Sequence, residues 1–386
     1  MRAALAAALF AALFVAVATP ARAEDLAAHA ARLVRSSIVV DTHEDVPWEL
    51  REKWADLAQP GATKHVDIPR LRAGGIGAAF FAVFTPGALA DKGQAAHVAF
   101  ELSDLVDRVV AAHPDVFVAA GSVAEIRAAH KSGRIAILKG IEGGHAIEDS
   151  LGLLRDFYRL GVRYMTLTHT NTNNWADSLG NFTEPNYDPA RWRKHGGLTP
   201  FGKEVVAEMN RLGMAVDVSH VSPDTVRDVL AVSKAPPFAS HSSCRALTDN
   251  PRNLTDEQIR AIAAAGGVVM LNASSSFLDA DGLAAARAKP QREYHTTMAH
   301  YVDHLEHALE LAPGAVGLGT DFDGIDDPPR DFADVSFIPK LVEELLRRGH
   351  GDDEIRGVLG ENFLRYFARV EKARTAAQAR SSNEKP

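Results

Sequence analysis

Ile76-Gly77-Ala78-Ala79-Phe80-Phe81-Ala82-Val83-Phe84 is a run with no charged or hydrogen-bonding side chain. A strand with one face in water alternates apolar and polar residues. A continuous run instead fits a strand covered on both faces, as in parallel sheets shielded by crossover helices. Other short apolar runs bounded by glycine or polar residues have similar character: Ser37–Asp41, Ile135–Ile141, Arg163–Thr168, Met214–Ser219, Pro237–Ser240, Gly267–Asn272 and Ala315–Thr320. Between most of them lie segments with helical spacing, such as Val98–Ala112, Leu151–Leu160, Glu204–Leu212, Thr255–Ala265 and Met298–Leu311. Strand alternating with helix through eight such units predicts an α/β fold, a closed (β/α)8 barrel of the TIM type. After the first strand the chain reads Asp41-Thr42-His43-Glu44-Asp45, without the glycine-rich turn of a dinucleotide-binding sheet. No repeat or low-complexity linker divides the chain, so one catalytic domain is expected over residues 24–370, followed by a polar tail over 371–386.

The 386 residues are 46% hydrophobic and 24% charged, too apolar and too evenly mixed for a disordered chain. Cys244 is the one cysteine, which excludes an intrachain disulfide scaffold. A formal charge of −8 leaves no overall basic footprint, so neither nucleic acid nor an anionic membrane surface is an expected partner. Arg2 precedes the apolar run Ala3–Ala18, and Ala21-Arg22-Ala23 has the small-x-small pattern of a signal-peptidase site. The run is shorter than the ~20 residues of a spanning helix. Residues 1–23 therefore read as a cleaved signal peptide, giving a periplasmic or secreted product with no membrane span. A homodimer is left open.

The segment Thr170–Thr199 has no periodicity and exceeds the ~12–15 residues usual for a structureless loop. Its Trp175, Tyr187 and Trp192 predict an ordered lid.

In barrel enzymes the reacting groups stand at the carboxyl ends of the strands. Those ends carry His43 and Asp45, Glu142, His169, His220, His241 and Asp321. Any one of these histidines alone would ordinarily be a packing residue. Four of the chain's 16 at one sheet edge make a site. Imidazole and carboxylate are the ligands of hydrolytic zinc, which keeps a position open for water. His43, Asp45, Glu142, His220 and His241 are too many donors for one open zinc. Two ions sharing Glu142, the strand-end acid between the two ligand pairs, fit better, and such pairs generate a bridging hydroxide near neutral pH. His300, His304 and His307 also share a helical face, but their mid-helix place beside Leu305 and Leu309 reads as a solvated face.

The motifs Asp41-Thr42-His43-Glu44-Asp45, Glu142-Gly143-Gly144-His145, Asp217-Val218-Ser219-His220, Ser240-His241-Ser242-Ser243, Arg252-Asn253 and Gly319-Thr320-Asp321-Phe322-Asp323-Gly324 occur in this order. In that order the chain resembles the renal, or membrane, dipeptidase family of the amidohydrolase superfamily, from about Ser36 to Phe367. The resemblance implies two zinc ions per chain, one on His43 and Asp45, the other on His220 and His241, with Glu142 as the bridge. It implies that His169 contacts the substrate carbonyl, that Arg252 holds the terminal carboxylate of a small dipeptide, and that Asp321 handles the proton. Relatives in the superfamily often bridge their metals with a modified lysine; Lys139, three residues before Glu142, is expected to face away from it. The nearest enzymatic rival is an amidohydrolase acting on N-acyl amino acids, lactones or β-lactams. A periplasmic peptide- or metal-binding protein is the non-enzymatic one, and it predicts two lobes.

Overall fold

The computed structural model describes residues 25–288 and 292–383, with side chains as far as residue 374. The expected signal peptide, residues 1–23, lies outside the described residues.

All strands are parallel: β1 (Val39–Glu44), β2 (Ile76–Phe84), β3 (Phe117–Ala119), β4 (Ile135–Glu142), β5 (Val162–Thr166), β6 (Ala215–Asp217), β7 (Phe238–Ala239), β8 (Val268–Leu271) and β9 (Val316–Leu318). Their order is β2-β1-β9-β8-β7-β6-β5-β4-β3, and pairing of β2 with β4 closes the sheet into a barrel. Each of the eight apolar runs overlaps one barrel strand, and β1, β4 and β5 extend one to three residues beyond their runs. The run 76–84 is buried through Val83, as its unbroken apolar character requires. β3 is an addition: it pairs with Ile135–Ile137 of β4, while β5 pairs with Lys139–Glu142, so the two share one edge of β4.

The helix Asn362–Asn383 packs at the amino-terminal ends of the strands. Asn362 Nδ2 donates to the Val316 carbonyl at 2.8 Å, and the rings of Phe363 and Tyr366 lie 6.3 and 5.2 Å from that of Phe238. This leaves the carboxyl ends open for chemistry. As far as residue 383 the segment expected as a polar tail continues this helix, and Glu371 accepts a hydrogen bond from the Val123 backbone N–H at 2.9 Å. Among the described residues no helix is long and apolar enough to cross a membrane.

Thr170–Thr199 is an ordered segment over the open end. Trp175 is fully buried, and Asn173 Oδ1 accepts from the N–H groups of Trp175 and Ala176. The Asp177 carboxylate accepts from the backbone N–H groups of Lys194, His195, Gly196 and Gly197 at 2.7 to 3.1 Å. One side chain thus pins the return of the loop, and Gly180, Asn181, Phe182 and Thr183 line a cavity over the barrel.

Candidate metal centre

Strand ends deliver the donors. His43 is inside β1, and Asp45 is the first turn residue beyond it, opening the helix Val46–Glu52. Sequence spacing places the pair side by side on an extended backbone; the chain is already turning at Asp45, yet His43 Nε2 and Asp45 Oδ2 stand 3.3 Å apart. Glu142 is the last residue of β4. His169, His220, His241 and Asp321 follow β5, β6, β7 and β9 within three residues. His220 and Asp321 have φ of 67° and 63°, left-handed values that cost a non-glycine residue about 1–3 kcal/mol and cluster at functional sites.

Glu142 is the centre of the arrangement. Its Oε1 lies 2.9 Å from His220 Nε2, 3.3 Å from His241 Nε2 and 3.8 Å from His169 Nε2, and its Oε2 lies 3.7 Å from His43 Nε2. Three sets of donor atoms each fall within 4.8 Å of one another: His43, Glu142 and His241; Glu142, His169 and His220; His43, Asp45 and Asp321. Burial opposes charge on Glu142, but the surrounding imidazoles, His169 and His43 foremost, outweigh it, holding the carboxyl well below its usual range. Burial, assisted for His220 by Arg252 and for His241 by His43, pushes both imidazoles well below theirs, so they present lone pairs. Asp321 moves the other way: burial, joined by Asp45 and Glu142 against the pull of His43, lifts it well above the carboxylate range.

The residues fit divalent metal. The buried His43 Nε2 has no hydrogen-bond partner among the described residues. The Nε2 atoms of His220 and His241 are 3.0 Å apart, a distance at which two lone pairs repel unless a proton or cation lies between them. Asp45 and Glu142 bring two buried carboxylates together, and Asp321, with its side chain 16% exposed, adds a third beside them. Burying such charges costs several kcal/mol per ion unless opposite charge compensates. Lys139 does not supply it: its Nζ leaves the barrel to bond Ser103 Oγ, Asp107 Oδ2 and the Leu160 carbonyl.

Above the donors lies a cavity of about 540 Å³ lined by Glu142, His169, His220 and Asp321 on the floor and by Trp48, Phe84, Phe182 and Phe277 among the walls. Arg252 also lines it, 3% exposed, its guanidinium donating to Ser242 Oγ at 3.3 Å and the His241 carbonyl at 3.2 Å. It forms no ion pair with a described carboxylate. Burial lowers it to about 10, which still leaves it a cation at neutral pH.

Several supporting residues were not singled out from the sequence. Asp41 in β1 accepts from the N–H of His43 and Thr320 and from Thr320 Oγ1 at 2.6 Å, tying β1 to the strand end that carries Asp321. Asp217 in β6 does the same for β7 through Ser240. Tyr164 Oη meets His43 Nδ1 at 2.7 Å, in space that any side chain on Gly140 would fill. Asn272 Nδ2 donates to Asp321 Oδ2 at 2.8 Å. The signal for the two aspartates is an acid inside an apolar strand, which must find donors. His145 is also buried at this end, pushed to about 4 by burial and by His169. His304 corrects the reading of a solvated helix face: it is buried, its Nδ1 accepts from the Cys244 N–H at 3.0 Å and its Nε2 faces the Leu278 carbonyl at 3.0 Å.

The chain is similar to several known proteins. The family model described as Membrane dipeptidase (Peptidase family M19) matches residues 27–381. The chain is 37% identical to Dipeptidase 3 of Rattus norvegicus over 357 residues, 91% of this chain and 69% of the relative. It is 36% identical to Dipeptidase 3 of Homo sapiens over 365 residues, 93% of this chain and 70% of the relative. A solved metallo peptidase from Rhodobacter sphaeroides, liganded with a phosphinate mimic of the dipeptide L-Ala-D-Ala, superposes with a TM-score of 0.76 at 28% identity, covering 86% of this chain and 99% of that one.

Proposed function

The chain belongs to the membrane dipeptidase family, and from that premise we propose that it hydrolyses dipeptides with a free C-terminal carboxylate at a two-zinc centre bridged by Glu142. His43 and Asp45 would hold one zinc and His220 and His241 the other. Bound there, zinc would supply a nucleophilic water near neutral pH and Lewis-acid polarisation of the scissile carbonyl.

The protein's own groups have separable tasks. His169 Nε2 reaches the cavity floor 3.8 Å from Glu142 and can donate to the oxyanion that develops on the substrate carbonyl. Asp321, held by Asn272, takes the proton of the attacking water and returns it to the leaving amine. Phe182 and neighbouring lid residues reduce access of bulk water. The leader-like run Ala3–Ala18 supports export.

The observation that carries the substrate assignment is Arg252. A buried guanidinium without a carboxylate partner among the described residues, in the same cavity as the metal donors, is suited to bidentate capture of a ligand carboxylate. Arg252→Ala should raise KM for dipeptides steeply or lower kcat/KM by about 10-fold or more, the scale of a lost charge-assisted hydrogen bond. Dipeptide amides should be poor substrates for wild type and variant alike. Steady-state kinetics on both substrate classes decides it: equal cleavage of amides and free dipeptides by the wild type would contradict carboxylate recognition and favour an acyl or lactone substrate.

A further inference from the structure

The imidazoles proposed as ligands are not equally supported from behind. His220 Nδ1 is buried with no hydrogen-bond partner among the described residues. His241 Nδ1 lies 2.8 Å from Ser240 Oγ, and Ser240 Oγ donates to Asp217 Oδ2 at 2.6 Å. The Asp217 carboxylate is fully engaged as an acceptor. Oδ1 receives the N–H groups of Ser219 at 3.0 Å and Ser240 at 2.9 Å, and Oδ2 receives the hydroxyls of Thr166 at 2.5 Å and Ser240. Of the two acceptors that Ser240 Oγ reaches, Asp217 Oδ2 at 2.6 Å is far closer than Ser219 Oγ at 3.4 Å, so its hydrogen goes to Asp217. Its lone pair can only receive, and the donor that reaches it from the ring is Nδ1–H of His241.

We propose that Asp217 and Ser240 are positioning residues of the metal centre: the relay Asp217–Ser240–His241 fixes the Nδ1–H tautomer of His241 and turns the Nε2 lone pair toward Glu142 before any ion arrives. An imidazole held in this way binds metal without reorienting or exchanging its proton, and outer partners of this kind are worth about 10–100-fold in metal affinity. The relay makes His241 the anchored ligand of its ion and His220, which has no such support among the described residues, the adaptable one. It also links three strands, because Thr166 ends β5, Asp217 ends β6 and Ser240 follows β7. The inference rests on His241 being a ligand, as proposed above.

The test compares two substitutions at the same carboxylate. Ser240→Ala cuts the relay, whereas Thr166→Val removes a donor to the same Asp217 oxygen that is not on the path to His241. Zinc affinity, measured by chelator competition on the full chain, should fall 10–100-fold in Ser240→Ala and stay at the wild-type value in Thr166→Val, even if both lower Tm. Equal affinity in Ser240→Ala and wild type, or equal losses in the two variants, would overturn the relay and leave a merely structural carboxylate. Should Ser240→Ala not fold, the wild type decides alone: in metal-stripped protein carrying 15N-histidine, the resonance absent from His241→Asn must report the Nδ1–H tautomer, and an Nε2–H tautomer contradicts the proposal. Unchanged zinc content in His241→Asn would overturn the ligand reading beneath it, a failure distinct from that of the relay.

Discussion

Glu142→Ala is expected to lose bound zinc, from about two ions per chain in the two-metal arrangement, and to abolish dipeptide hydrolysis. The expectation follows from one side chain facing both halves of the site: Oε1 is within 3.3 Å of His220 and His241, and Oε2 faces His43 at 3.7 Å. Truncating it leaves four imidazoles with no shared anion and removes the group common to two of the three donor sets. Removing a single terminal ligand would leave the other ion its full set; removing a shared one weakens both. Metal analysis of the purified variant beside the wild type measures the effect. Retention of both ions would remove Glu142 from the bridge.

Asp321→Asn separates chemistry from metal binding. The substitution keeps size and polarity, and the new amide can still offer its oxygen to Asn272 Nδ2, which holds Asp321 Oδ2 at 2.8 Å. What it cannot do is take up and return a proton. The variant should keep its zinc and bind dipeptides normally while kcat falls about 10²–10⁴-fold, the range of general acid–base catalysis. Metal content and turnover must be measured on the same sample, because Asp321 Oδ1 is also 3.8 Å from His43 Nε2 and shares a donor set with His43 and Asp45. Loss of zinc together with activity would make Asp321 a ligand, and near-normal turnover would exclude it as the proton carrier.

The barrel was legible because a doubly covered strand cannot hide its composition: the run 76–84, and 135–141 apart from Lys139, have no polar face to confuse with a helix or an edge strand. The donor residues were legible for a related reason. They mark where each apolar run stops, and in this fold those stops share one rim. β3 was not legible, since three residues, one of them half-buried and one exposed, carry too little pattern. The strand-tying aspartates were quoted within motifs, but their task was invisible. Asp41 finds Thr320 279 positions away and Asp217 finds Ser240 23 away, and a hydrogen bond across strand ends leaves no periodic trace. His304 was misread for the same reason, because the Cys244 backbone that buries it comes from 60 residues earlier.

One titration separates a two-metal centre from a one-metal centre. Metal-stripped wild type is loaded with zinc in steps while hydrolysis of an L,L dipeptide is followed at each loading. The two-metal reading predicts activity that rises until about two equivalents are bound per chain, with no cleavage of the matching dipeptide amide. Full activity at one equivalent would contradict the bridged pair, and no hydrolysis at saturation would contradict the dipeptidase itself.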